Sequence, residues 1–169
     1  FEGPEDYHKR INDKKLKIDE NSILIIRGCG PVGYPGSAEV VNMQPPDRLL
    51  KKGITHLPTL GDGRQSGTSE SPSILHVSPE SAVGGDLGIV KTGDKMKIDL
   101  NKRRVDLLIS QLEFKKRRKN KKLFKANNQT PWQEIFRDTV GQLEDGACIN
   151  SRGNYLDISN KKGLPRNSH

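Results

Sequence analysis

Apolar residues along the chain fall in short runs broken by glycine and proline, with no long continuous stripe. Ser22-Ile23-Leu24-Ile25-Ile26 is a β-branched run of the kind that makes a buried strand. Leu57-Pro58-Thr59-Leu60 and Ser73-Ile74-Leu75-His76-Val77 predict two more strands. Leu87-Gly88-Ile89-Val90, Lys95–Leu100 and Arg104–Ile109 predict a meander whose middle strand alternates charged and apolar residues, so one of its faces is wet. Helices are predicted by their end signals. Pro4 with Glu5 and Asp6 opens a short one over Tyr7–Ile11. Ala38–Met43 is stopped by Pro45-Pro46, and Asp47–Lys52 is ended by Gly53. Ser78-Pro79-Glu80 offers a cap, a proline at the first helical position and an early acid, with Gly84-Gly85 closing that brief helix. Ser110 begins another, and Thr130 caps a last one with Gln133 at the capping-box position. Trp132, Ile135, Phe136, Val140 and Leu143 form the apolar stripe of that last helix. The order predicts an α+β domain with short strands in a mixed, barrel-like sheet and helices around it. Residues 1–149 form the domain and 150–169 a polar, flexible tail.

Composition narrows the partners. Hydrophobic residues make up only 31% of the 169 and charged residues 30%, so either the core is small or apolar surface is reserved for another domain. No stretch approaches the roughly 18 apolar residues of a membrane helix. The start, Phe1-Glu2-Gly3-Pro4, carries neither methionine nor a secretory signal and reads as the start of a fragment. The net charge of +8 is local: eight of the 29 basic residues lie between Lys115 and Lys125, and outside that run 21 bases face 21 acids. Nucleic-acid binding is therefore disfavoured against a solvated helix or linker, with a basic interaction module as the alternative of another class. Cys29 and Cys148 are too few and too far apart for a zinc site or a disulfide scaffold, which fits a reducing cytoplasm.

Two loops, 28–36 and 61–72, are too rich in glycine for mere connection. Gly28-x-Gly30-x-x-Gly33 matches a dinucleotide fingerprint, but Pro31, Pro35 and Pro45-Pro46 leave no room for the long helix that must follow it. Gly61-Asp62-Gly63-Arg64-Gln65-Ser66-Gly67-Thr68 is not a nucleophile elbow, since Arg64 stands where its first glycine belongs. A serine without a nearby histidine needs another route to lose its proton, and a bound cation is one. Glu39 is a candidate carboxylate for that cation.

Both loops with their flanks, Gly30-Pro31-Val32-Gly33-Tyr34-Pro35-Gly36-Ser37-Ala38-Glu39 and Gly61–Thr68, resemble the dihydroxy-acid dehydratase / phosphogluconate dehydratase family. Ser78-Pro79-Glu80, Ala82-Val83-Gly84-Gly85 and Thr130-Pro131-Trp132-Gln133-Glu134-Ile135-Phe136-Arg137 continue the match, which looks most like the arabinonate and xylonate branch and covers roughly residues 1–149. The resemblance implies the swivelling, barrel-like C-terminal domain of a hydro-lyase, without its first strands. It implies an N-terminal domain elsewhere that carries an iron–sulfur cluster and most Mg²⁺ ligands, and assembly as a homo-oligomer. It makes Glu39 a Mg²⁺ ligand and Ser66 the base. Thr68 and Gly67 then support the serine or the substrate, and Asp62 and Arg64 brace the loop by hydrogen bonds and an ion pair. The substrate implied is a sugar acid, dehydrated to a 2-keto-3-deoxy acid. Cys29 and Cys148 fall at no cluster position and are structural. Ser37 and Glu70 depart from the family pattern, where methionine and glycine are usual. His76-Val77-Ser78-Pro79-Glu80 looks more like the branch acting on branched dihydroxy acids, with His76 a core or supporting residue.

Overall fold

The computed structural model describes residues 1–37, 43–64, 72–127 and 129–149. The helix expected over Ala38–Met43, most of the Ser66 loop and the tail expected over 150–169 lie outside them. Three short strands, β1 (Leu24–Ile26), β2 (Thr59–Gly61) and β3 (Ser73–Ile74), form a parallel sheet in the order β1-β2-β3. Leu24 pairs with Thr59 and Ile26 with Gly61, while Thr59 pairs with Ser73. Phe1 and Glu2 run beside β1, the Arg27 amide donating to the Phe1 carbonyl at 3.0 Å. A separate antiparallel hairpin joins β4 (Met96–Asp99) to β5 (Arg104–Leu107). The domain is α+β, but among the described residues no barrel closes: the sheet and the hairpin remain two pieces.

Helices begin where local chemistry starts them. α1 (Pro4–Arg10) has proline and two acids in its first turn. α2 (Asp47–Leu50) is followed by Gly53 at φ 80°, a left-handed position that glycine adopts without strain. α3 (Gln111–Lys119) is capped by Ser110, whose hydroxyl accepts from the Glu113 amide. α4 (Pro131–Thr139) carries the full capping box, Thr130 and Gln133 each satisfying the other's backbone amide. Tyr7, Ile18, Leu24, Ile26, Cys29, Met43, Leu49 and Leu57 form the core cluster between α1, α2 and the sheet. No helix among the described residues is long and apolar enough to cross a membrane.

Three expectations change. Leu87–Val90, predicted as a strand, is mostly a 3₁₀ turn over Asp86–Ile89. The carbonyls of Leu87, Gly88 and Val90 accept from the Arg27 guanidinium, at 2.7 Å for Val90, and so are unavailable to a ladder. The meander is therefore only a hairpin. Glu80, expected inside a helix opened by Ser78, instead caps a 3₁₀ turn (Ser81–Val83) that follows a cis Ser78–Pro79 bond.

The basic run differs too. It stops being helical at Asn120 and continues as an irregular strap. Arg117 makes a two-pronged pair with Asp94, at 2.6 and 3.1 Å, and a further bond to Glu113. These acids hold its pKa above the usual arginine value. Lys121 donates to the Gly84 carbonyl, and Phe124 is buried under Arg27, 3.9 Å from guanidinium carbon to ring centroid. The run fastens the domain more than it presents charge. Phe124→Ala is expected to cost about 3 kcal/mol in urea unfolding, because it empties a filled site. Leu112→Ala, at a position 81% exposed, should stay within about 0.5 kcal/mol.

Candidate active-site loops

β1 and β2 are parallel neighbours, so the chain leaves both at the same end of the sheet. One exit becomes the glycine loop from Gly28 and the other the loop from Asp62. Ligand crevices in parallel sheets lie at this carboxyl end. The two exits are bound together by one side chain. Asp62 is fully buried, and its carboxylate accepts from the amides of Gly28, Cys29 and Ser81 at 2.9–3.0 Å. It also accepts from the Ser81 hydroxyl at 2.5 Å. Four donors converging on an acceptor-only group are what make burial of that carboxylate tolerable.

A second buried carboxylate repeats the arrangement. Glu80 accepts from the amides of Val32 and Gly33 at 2.9 and 2.8 Å. Gln142 encloses it, donating to the Glu80 carboxylate at 2.8 Å and accepting from the Glu80 amide at 3.1 Å. The approach is close enough that a Cβ on Gly30 would run into the Glu80 side chain. A Cβ on Gly63 would lie 2.6 Å from that of Cys29. Both glycines are thus required by contact between loop and partner. Beyond Gly30 the chain enters turns rather than a helix. The amides of Gly28, Cys29, Val32 and Gly33 are answered by protein carboxylates, so they do not cradle a phosphate.

α4 completes the support. Arg137 donates to the carbonyls of Val32 and Ala126 at 2.8 and 2.7 Å, and Gln133 to that of Pro35 at 3.1 Å. Its predicted apolar stripe packs only in part: Trp132 is 77% and Ile135 52% exposed, while Phe136, Val140 and Leu143 are half-buried. Polar Gln133 and Arg137 occupy the inner face, because the loop they meet presents carbonyls.

Asp62 and Arg64 are the sequence-predicted site residues within the described parts. Asp62 is in the loop support just given, and the Arg64 side chain is exposed. Glu39, Ser66, Gly67 and Thr68 lie outside, following the described ends at Ser37 and Arg64. His76 is exposed rather than a core residue and has a left-handed φ of 56°. Its amide donates to the Gly63 carbonyl, at the third strand's exit. Sequence reasoning missed Glu80, Ser81, Arg137 and Gln142 as loop supports. The available signal was a glycine loop rich in amide donors with no acceptor of its own. A groove of about 830 Å³ between β1 and the β4–β5 hairpin is lined by residues such as Phe1, Ile23, Met96 and Leu108, and by neither Asp62 nor Arg64.

Cys29 is buried, and burial together with the Asp62 charge pushes its thiol up to about 12. Since the thiolate is the nucleophile, native alkylation at pH 8 is expected to modify exposed Cys148 and spare Cys29, with both modified after unfolding. Asp62→Asn turns an amide group toward amide donors and should destabilise by about 3 kcal/mol in urea unfolding. A change below about 1 kcal/mol would remove Asp62 as the tie between the loops.

The profile of the family described as "Dihydroxy-acid/6-phosphogluconate dehydratase C-terminal" matches residues 1–147. A "D-xylonate dehydratase" of Caulobacter vibrioides is 56% identical over all 169 residues, which make up 28% of that protein. An "L-arabinonate dehydratase" of Rhizobium leguminosarum bv. trifolii is 50% identical over 69% of the chain and 20% of its own length. A "Dihydroxy-acid dehydratase" of Thermodesulfovibrio yellowstonii is 39% identical over 88% of the chain and 26% of its own length. The chain spans between 20% and 28% of the length of these relatives. With profile and relatives in agreement, the chain belongs to the dihydroxy-acid/6-phosphogluconate dehydratase family and corresponds to its C-terminal region.

Proposed function

We propose that this chain is part of a hydro-lyase that dehydrates a 2,3-dihydroxy carboxylic acid, a sugar acid, to a 2-keto-3-deoxy acid. The observation that carries the reading is the common exit of the two glycine loops from adjacent parallel strands, locked by Asp62. The loop leading to Glu39 and the loop leading to Ser66 start from that one edge. The names of the relatives at 56% and 50% identity support a sugar acid over a branched dihydroxy acid. The His76–Glu80 stretch and the dihydroxy-acid dehydratase at 39% keep the branched acid as the second reading. Against a basic interaction module stands the engagement of Arg117, Lys121 and Phe124 within the domain.

In this reading the domain swivels over the rest of the enzyme, a cytoplasmic homo-oligomer. The Ser66 oxygen, as its alkoxide, takes the proton from C2 while the C3 hydroxyl leaves, and the resulting enol becomes the keto acid. Thr68 and Gly67 shape the loop around that oxygen, and Asp62 holds the loop's root. The family implies Mg²⁺ and an iron–sulfur cluster, which would supply Lewis acidity to the substrate carboxylate and the departing hydroxyl. The described residues do not fit either group. No three His, Cys, Asp or Glu side chains among them are arranged for a metal. The Asp62 and Glu80 carboxylates already accept from protein donors, and Cys29 is protonated. Both groups would rest on ligands elsewhere, with Glu39 the single carboxylate that this chain adds.

The test uses the full-length protein prepared without oxygen and a panel of sugar acids and branched dihydroxy acids, with keto-acid formation as readout. Turnover of a sugar acid is expected, and Ser66→Ala should lower kcat by about 10³-fold or more while leaving the visible absorption of the cluster intact. Glu39→Gln should raise the Mg²⁺ concentration needed for activity. Near-normal rates in Ser66→Ala would sink the base assignment, and no turnover of any panel acid would sink the reading.

A further inference from the structure

The outer face of α4 is apolar where a surface helix should be polar. Trp132 and Ile135, one turn apart, are 77% and 52% exposed, while Gln133 and Arg137 are spent inward on the carbonyls of the site loop. Trp132 lies in the first turn of a helix with a complete capping box, so the backbone that carries it is fixed at the helix start. Exposed Glu134 and Asp138 accompany it, so the face is an apolar centre beside two carboxylates. We propose that this face is a docking surface for the remainder of the same polypeptide, presenting there an apolar pocket for Trp132 bordered by basic groups.

Two observations select that occupant. The chain makes up 28% and 20% of the relatives that match it at 56% and 50% identity, so most of such a protein lies outside these residues. The inner face of α4 holds Val32, Gly33 and Pro35 of the loop that leads to Glu39, so the helix itself borders a loop of the site that the remainder must complete. One helix then does two things: the segment docking outside fixes the loop inside. The inference rests on the proposed function only in taking the chain as one part of a longer enzyme.

The test places a photo-crosslinker in the full-length protein, as Trp132→p-benzoylphenylalanine, with Leu100→p-benzoylphenylalanine as control. Leu100 is 78% exposed beside the β4–β5 turn. After irradiation, the expected adduct joins position 132 to a peptide outside residues 1–169 within one polypeptide, without doubling the mass on a denaturing gel. An adduct of doubled mass assigns the face to a second copy and overturns the proposal. So does an adduct to residues 150–169, or a yield no greater than at position 100. As a second measurement, Trp132→Glu should lower the melting temperature of the full-length protein by about 5 °C, and Leu100→Glu by about 1 °C or less. Equal shifts would also overturn the proposal. Keto-acid formation by the unmodified protein is assayed separately, so a wrong activity and a wrong docking face give different results.

Discussion

Two carboxylates placed where water cannot reach them organise the edge of this domain from which both glycine loops leave. Asp62 and Glu80 are each fully buried, a position that costs several kcal/mol for an ion left unpartnered. Among the described residues neither is in a salt bridge. Their compensation comes from backbone: the amides of Gly28, Cys29 and Ser81 for one, of Val32 and Gly33 for the other. A glycine loop has many amide donors and few side chains to answer them, and a buried carboxylate has lone pairs and no solvent. Each solves the other's problem. The outcome is a loop of defined shape in a stretch whose composition would otherwise favour many shapes.

The same logic extends outward. Ser81 and Gln142 complete the acceptors' shells, and Arg137 and Gln133 take up the loop's carbonyls. Arg27 does so for Leu87, Gly88 and Val90 while stacking on Phe124. Much of this domain is thereby fixed by side chains that satisfy irregular backbone, in place of long strands or helices. The hydrophobic content of 31% is consistent with that economy of core.

This explains which parts of the fold were legible. Signals that act within a few residues were read correctly: the Thr130–Gln133 capping box, the Ser110 cap, the glycine after α2 and the β-branched run of β1. Where a distant side chain decides, local pattern misled. Leu87-Gly88-Ile89-Val90 is an apolar run like a strand, yet a guanidinium some sixty residues away consumes its carbonyls. Glu80 has the position of a helix-opening acid, yet it caps a 3₁₀ turn and buries its carboxylate among amides. The stripe on α4 was visible, but amphipathicity does not state whether the apolar side turns toward its own chain. At the site, the sequence singled out both loops, while the acids and amides that shape the first of them are joined only by folding.

A frame whose backbone is satisfied from within has an evolutionary corollary. Since the Gly28, Cys29, Val32 and Gly33 amides bind the protein's own oxygens, the loop's geometry does not depend on which molecule is present. Side chains that face a ligand can then drift without unravelling the scaffold that displays them. Relatives named for xylonate, arabinonate and dihydroxy acids share this region at 56 to 39% identity. A chassis indifferent to its cargo is one physical route by which a single ancestor diversifies into such a set.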